Sequence, residues 1–360
     1  MNRHFSLYLD ILRFTAAMCV LLSHGNSRDI ISVDLFPLSL GHNAVIVFFL
    51  LSGYVIAYVA DTREQTARAF WVSRLARIYS VALPAMLLTP LLDMVGEASN
   101  PDFYAGGLTT HDYWWIRLAA SLLFVNELWT VSIMPFSNSP YWSLCYEMCY
   151  YALFSVYCFE TGRRRIVLLL LLCLLIGPKI LLLFPLWALG VVLYRYRPWY
   201  RISERSGWTL CLLSLAGAAA YQYLDIYNLL SKDLARIVGP HVYRDLHFSK
   251  HFLADYLLAA VIAINFVGFR AIAHRIMPML GGARSLLQRL SAYTFALYLF
   301  HLPLLVFFAA LLRGNPNGHA YFLTAVGLCL VTSLLLGGVT EAFKDRLKAW
   351  LDLKLPRSVP

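Results

Sequence analysis

Residues 9–25 read LDILRFTAAMCVLLSHG, an apolar run broken by Asp10, Arg13 and His24. Arg13 and His24 are eleven residues apart. As a helix this is about three turns, so both side chains fall on one face, roughly 16 Å apart along the axis. Asp10 lies one turn before Arg13 on that face. Ionisable groups on one stripe of a membrane-length helix are costly, so by default they mark function. The expected arrangement is an Asp10–Arg13 ion pair, i to i+3, with Arg13 and His24 sharing a pocket sealed from lipid.

The rest of the chain fits a membrane setting. Its 360 residues are 60% hydrophobic and only 14% charged, against about 25% charged in soluble domains, and mean hydropathy is +0.63. Apolar stretches recur near 7–24, 43–60, 77–95, 114–131, 142–160, 166–177, 180–194, 208–223, 252–269, 290–312 and 320–341. The expected fold is all-α: a polytopic transmembrane helical bundle. The net charge of +10 would suit nucleic acid in a soluble protein. Here the basic residues sit between apolar runs, so membrane orientation explains them and no nucleic-acid partner is expected. All seven cysteines fall in apolar segments and none forms a CxxC pair. That excludes a disulfide framework or zinc site, and no metal is expected. The N-terminus is not read as a signal peptide, because Asp10 and Arg13 interrupt the apolar run and no A-x-A site follows.

Charge placement chooses among topologies. With the N-terminus inside and 114–131 not crossing, 21 of the 30 Lys and Arg fall on the inner side. If 114–131 crossed, every later loop would flip and the bias would vanish. The expectation is therefore ten spans with both termini cytoplasmic. The 114–131 segment would lie at the outer face as an interfacial or re-entrant helix, anchored by Trp114, Trp115 and Trp129. The short stretches 166–177 and 180–194 predict a hairpin around Gly177 and Pro178. The domain reading is a membrane unit over 1–342 and a cytoplasmic amphipathic tail over 343–360.

Further helices carry polar residues at depth. In VFFLLSGYVIAY (47–58), Ser52 and Gly53 permit close helix approach, with Tyr54 beside them. Arg74 and Arg77 lie one turn apart, and guanidinium forks suit phosphate oxygens. Trp142, Ser143 and Glu147 open a helix at a depth that would let Glu147 partner His24. Ser291, Tyr298 and His301 share a face in the stretch SAYTFALYLFH (291–301).

Taken in order, these motifs resemble the acyltransferase 3 family of integral-membrane acyltransferases. They are D-x-x-R-x10-H, F-F-x-L-S-G-Y, R-x-x-R-I-Y, W-S-L-x-x-E and the 291–301 stretch, together covering nearly the full length. The chain departs from the family at Ile11, where Gly is usual, and at Ser80, where Pro is frequent. The resemblance implies about ten transmembrane helices and cytoplasmic acyl-coenzyme A, commonly acetyl-coenzyme A, as co-substrate. It implies O-acylation of hydroxyls on polysaccharides, lipid-linked sugars, nodulation factors or macrolides. His24 and Arg13 match residues the family needs for activity, and Arg74 and Arg77 match its basic pair.

On this reading His24 is the base, since imidazole titrates near neutral pH. Glu147 orients it, Arg13 holds the donor or the oxyanion, and Asp10 fixes Arg13. Arg74 and Arg77 grip coenzyme A. Ser52, Tyr54, Trp142, Ser143, Tyr298 and His301 line or support the site. The acceptor is a carbohydrate or lipid-linked glycan, and the setting a bacterial inner membrane among membrane lipids. The sequence leaves the oligomeric state unread. A transporter or flippase of a glycan would also bury ionisable groups along a pathway, and remains the alternative.

Overall fold

The computed structural model describes residues 2–27, 39–104, 109–312, 314–316 and 318–354. Residues 28–38, and 355–360 at the end of the expected tail, lie outside the described residues. The described chain is mostly helical, with no strand. The elements are α1 (Arg3–Ser27), α2 (Ser39–Thr62), α3 (Ala67–Ser99), α4 (Pro101–Tyr104), α5 (Trp114–Leu122), α6 (Trp142–Phe159), α7 (Gly162–Ile176), α8 (Pro178–Arg195), α9 (Glu204–Tyr223), α10 (Ile226–Val238), α11 (Pro240–Asp245), α12 (Phe252–Ile276), α13 (Arg284–Ala292), α14 (Thr294–Leu311) and α15 (His319–Lys354). The chain is an integral, multi-pass membrane protein.

Among the described residues seven helices are long and apolar enough to cross a membrane: α1, α2, α3, α8, α12, α14 and α15. The α9–α10 pair, bent by 57°, makes an eighth if it counts as one span. Two of the ten expected spans fall short. With fifteen residues, α7 is about 22 Å long, less than the roughly 30 Å hydrocarbon core. Although α6 has eighteen residues, it carries four tyrosines and Glu147. Most of its residues are buried in protein, so lipid imposes no apolar requirement on it.

The 114–131 segment is not one helix. It stops at Leu122, and the backbone then turns through left-handed residues at Phe124 and Trp129. Beyond them the chain tucks against the bundle. Glu127 pairs with Lys179 at 2.6 Å with both side chains buried, and Trp129 Nε1 donates to Leu174 O at 3.0 Å. Buried partners, rather than a hydrophobic period, decide this segment's path. Trp114 and Trp115 stay exposed, as an interfacial position requires. The Gly177–Pro178 turn forms as expected, with φ +83° at Gly177. A Cβ there would come 2.8 Å from the Trp129 backbone, so only Gly fits.

Small residues set the helix crossings. A Cβ on Gly53 would lie 1.9 Å from Trp187 O, and one on Gly190 would lie 2.2 Å from Leu50 O. The backbones of α2 and α8 therefore touch at two glycines, the small-residue packing expected of Gly53. Most central is α14, with 78% of its apolar window buried. It packs against α3, α15 and α1, which places Tyr298 and His301 at the middle of the molecule. The final helix, α15, is unbroken through residue 354 and reaches back to α3 through Arg68 and Asp352 at 3.3 Å.

Candidate active site

A cavity of about 720 Å³ lies among α1, α2, α3, α6, α14 and α15. Helical spacing explains its lining. Ser143, Glu147 and Tyr151 recur at i, i+4 and i+8, so one stripe of α6 faces inward. Glu341, Lys344, Asp345 and Lys348 form a matching stripe on α15 at the cavity mouth. Among the described residues six cations line the space (Arg13, Arg63, Arg74, Arg77, Lys344 and Lys348) against four carboxylates (Asp10, Glu147, Glu341 and Asp345). The mouth is at the end of the bundle that carries the N-terminus and the C-terminal turns of α15.

Arg13 projects into this cavity and makes no hydrogen bond or contact ion pair among the described residues. Its charged neighbours are Arg77, Asp10 and Glu147. The expected Asp10–Arg13 contact pair is absent: Asp10 instead accepts from Ser291 Oγ at 3.0 Å. A guanidinium with five donors and no protein acceptor suits an incoming anion or carbonyl.

The other cations are restrained. Arg74 Nη2 donates to both carboxylate oxygens of Glu64, at 2.7 and 2.8 Å, while its Nε is buried without a partner. Arg77 pairs with Glu341 and lies over the Phe295 ring, 5.5 Å from its centroid. Both line the cavity as the phosphate reading needs, yet each is held by a carboxylate that the motif did not reveal.

Glu147 does not partner His24. Its Oε1 accepts from Ser52 Oγ at 2.6 Å and from the Tyr151 hydroxyl. Ser52 in turn accepts from Trp187 Nε1 at 3.1 Å. The expected similarity of depth does not hold: Glu147 lies among the charged neighbours of Arg13, in the cavity whose lining leaves out His24. His24 pairs instead with His301: Nδ1 of His24 lies 3.0 Å from Nε2 of His301. His301 is 1% exposed, and its Nδ1 lies 2.6 Å from Tyr298 O. A carbonyl only accepts, so Nδ1 of His301 carries the proton and its Nε2 is an acceptor. His24 Nδ1 then donates, to that nitrogen and to Val20 O at 3.1 Å. The neutral His24 ring therefore keeps its basic lone pair on Nε2, the tautomer a general base needs.

The expected shared pocket for Arg13 and His24 is not formed as drawn. The cavity lining takes in Arg13 and leaves out His24. The inner end closes at Ser143 and Tyr298, whose hydroxyls lie 2.7 Å apart. The backbone carbonyl of Tyr298 then leads to His301 and on to His24. Of the remaining expected residues, Tyr54 lies outside the lining, where its hydroxyl accepts from Arg270 Nη1 at 2.8 Å. Trp142 stacks on Phe248 with centroids 4.3 Å apart. The sequence reading missed Tyr151, although its i+4 spacing from Glu147 was visible. It also missed Glu64 and Glu341, which no local pattern announces.

The fold and site define a polytopic membrane protein with a basic cavity and a histidine pair beyond its inner end. The family model for the acyltransferase 3 family, described as an acyltransferase domain, matches residues 6–338. The chain belongs to that family. It is also similar to the acyltransferase MdmB of Streptomyces mycarofaciens, 30% identical over 153 residues. That alignment covers 41% of this chain and 37% of the relative. No solved structure matches the chain. Family membership argues against the transporter alternative.

Proposed function

We propose that the protein moves an acyl group, acetyl being the expected one, from acyl-coenzyme A to a hydroxyl of a carbohydrate or lipid-linked glycan. The donor enters at the basic end of the cavity, which the positive-inside rule makes cytoplasmic together with both termini. The acceptor meets it from the opposite face of a bacterial inner membrane. The observation that carries this reading is Arg13, a guanidinium with no protein acceptor deep in a cavity whose mouth is lined by cations.

Each group then has a task. Arg63, Arg74, Arg77, Lys344 and Lys348 suit the nucleotide phosphates. Arg13 holds the acyl-pantetheine arm of the donor on its way towards His24. His24 Nε2 takes the proton of the acceptor hydroxyl, whose oxygen bonds to the acyl carbon. The carbon–sulfur bond breaks, and the proton passes from His24 to the departing sulfur. His301 positions His24 by fixing its tautomer. The Ser143–Tyr298 hydrogen bond closes the inner end, so the acyl arm reaches His24 only when that bond parts.

Labelled acetyl-coenzyme A and the full-length protein in lipid nanodiscs test the donor. Mass spectrometry of surface glycans from cells with and without the gene tests the acceptor. One acyl group of extra mass in the gene-carrying cells, lost with His24→Ala, is expected. Unchanged glycans together with no turnover of the labelled donor would sink the proposal.

A further inference from the structure

A second cavity, about 510 Å³, lies at the other end of the bundle. The last turns of α2 line the donor cavity, whereas His42 in its first turns lines this one. Tyr227, Tyr243 and Phe248 supply aromatic walls. Arg244, Lys250, His247 and His251 supply the polar groups. Among the described residues no carboxylate lines the space. The nearby acids pair with its walls: Asp255 bonds His42 at 2.8 Å, and Asp245 lies 3.7 Å from Arg244. Burial first, and then the charges of His42 and Lys250, push the His251 imidazole down to about 3. That is the mark of a dry, positive surrounding.

The position also matters. Phe248 stacks on Trp142, and Trp142 meets Phe49 edge-on at 6.2 Å. Phe49 lines the donor cavity, so a partition of three rings separates the two spaces. On the same side, a Cβ on Gly41 would lie 2.8 Å from Ser23 Oγ. The wall residue His42 and the base His24 therefore flank one α1–α2 contact.

Resting on the acyl-transfer reading, we propose that this cavity seats the acceptor, and that the acceptor is an anionic sugar carrying a carboxylate or a phosphate. The tyrosine and phenylalanine rings offer flat faces to the sugar's apolar face. Arg244 and Lys250 take the anion, and the neutral His247 and His251 bond hydroxyls.

The test uses the full-length protein in nanodiscs and ligand-observed NMR titration. The probes are methyl glucuronide, glucose 1-phosphate, neutral methyl glucoside and inorganic phosphate, with coenzyme A titrated in parallel. At least one charged sugar should bind ten-fold or more tightly than the glucoside, and which one binds tells carboxylate from phosphate. The Arg244→Gln, Lys250→Gln double variant should lose that preference with coenzyme A binding unchanged, and Lys250→Arg should keep it. A thermal melt confirms that the variants are folded. Equal binding of charged and neutral sugars, or a preference that survives the double variant, would overturn the site. Inorganic phosphate competing as well as glucose 1-phosphate would reduce it to a bare anion site and overturn the sugar. Absence of any preference in the unaltered protein, with coenzyme A still bound, sinks this inference alone. A preference without coenzyme A binding keeps the site and sinks the acyl-transfer reading.

Discussion

Nε2 of His301 accepts a hydrogen bond from Nδ1 of His24, 3.0 Å away and from a different helix. Because His301 is itself fixed by Tyr298 O, the pair leaves the neutral His24 ring only one arrangement of its proton. His24→Ala should cost about 10²–10⁴-fold in turnover, the range for a lost general base. His301→Asn should cost less, about ten-fold or more, because it loosens the base without deleting it. Steady-state kinetics checks this: the loss should fall on kcat, with the KM for acetyl-coenzyme A unmoved. A purely structural histidine would lower the yield of folded protein and leave kcat per folded molecule intact.

Arg13 carries a charge into the bundle with no contact partner of its own. Such groups serve ligand binding at the expense of stability. Arg13→Gln should cut acyl transfer by about 10²-fold, the scale of a misplaced donor arm. It should leave the melting temperature in detergent unchanged or raised. A lowered melting temperature would assign Arg13 to the fold instead of the chemistry.

Glu341 competes for Arg77 and Lys344 at the cavity mouth. Both partners are partly exposed, so the interaction is worth roughly 0–1 kcal/mol. Glu341→Gln should therefore tighten coenzyme A binding by about two- to five-fold. Calorimetry at two salt concentrations reads this out, because the gain should shrink as salt screens the mouth.

The α2–α8 crossing leaves no room for a side chain at Gly53, whose added Cβ would meet Trp187 O at 1.9 Å. Gly53→Ala should destabilise by about 1–3 kcal/mol, the cost of overpacking. Gly53→Val should prevent folding. Thermal melting followed by size-exclusion profiles separates the two. Because Ser52 adjoins Gly53 and bonds Glu147, the alanine variant should lose activity as well.

Lys179 and Glu127 are 1% and 0% exposed. Breaking one partner strands the other charge, so Lys179→Met should cost about 3–5 kcal/mol. The double variant Lys179→Met, Glu127→Leu should recover much of that loss. A denaturant series on all three proteins checks the cycle. Additive losses would show that the two residues act independently.

Several stripes were legible in the sequence because helical periodicity is local. Arg13 on the cavity face, Arg74 with Arg77, and Ser143 with Glu147 all follow from spacing within one helix. The Gly177–Pro178 turn was legible for the same reason, since φ > 0 and a fixed proline φ are backbone properties. The path of 114–131 was not, because its apolar composition suits a helix while Glu127 has its partner 52 residues away. Tyr151 was within reach of the same spacing that found Glu147.

Sequence alone determined that this is a helical membrane protein, where most of its long helices run, and which ionisable groups they carry. Those follow from hydrophobic run length and the cost of charge in lipid, which act along the chain. Partnership was decided only in three dimensions: His24 with His301, Glu147 with Ser52, Asp10 with Ser291, Arg77 with Glu341. Position along one helix is a one-dimensional fact, and it does not say which side chain of another helix lies opposite. That is set by how helices rotate to bring glycine against backbone, and the rotation exists only once all of them are packed.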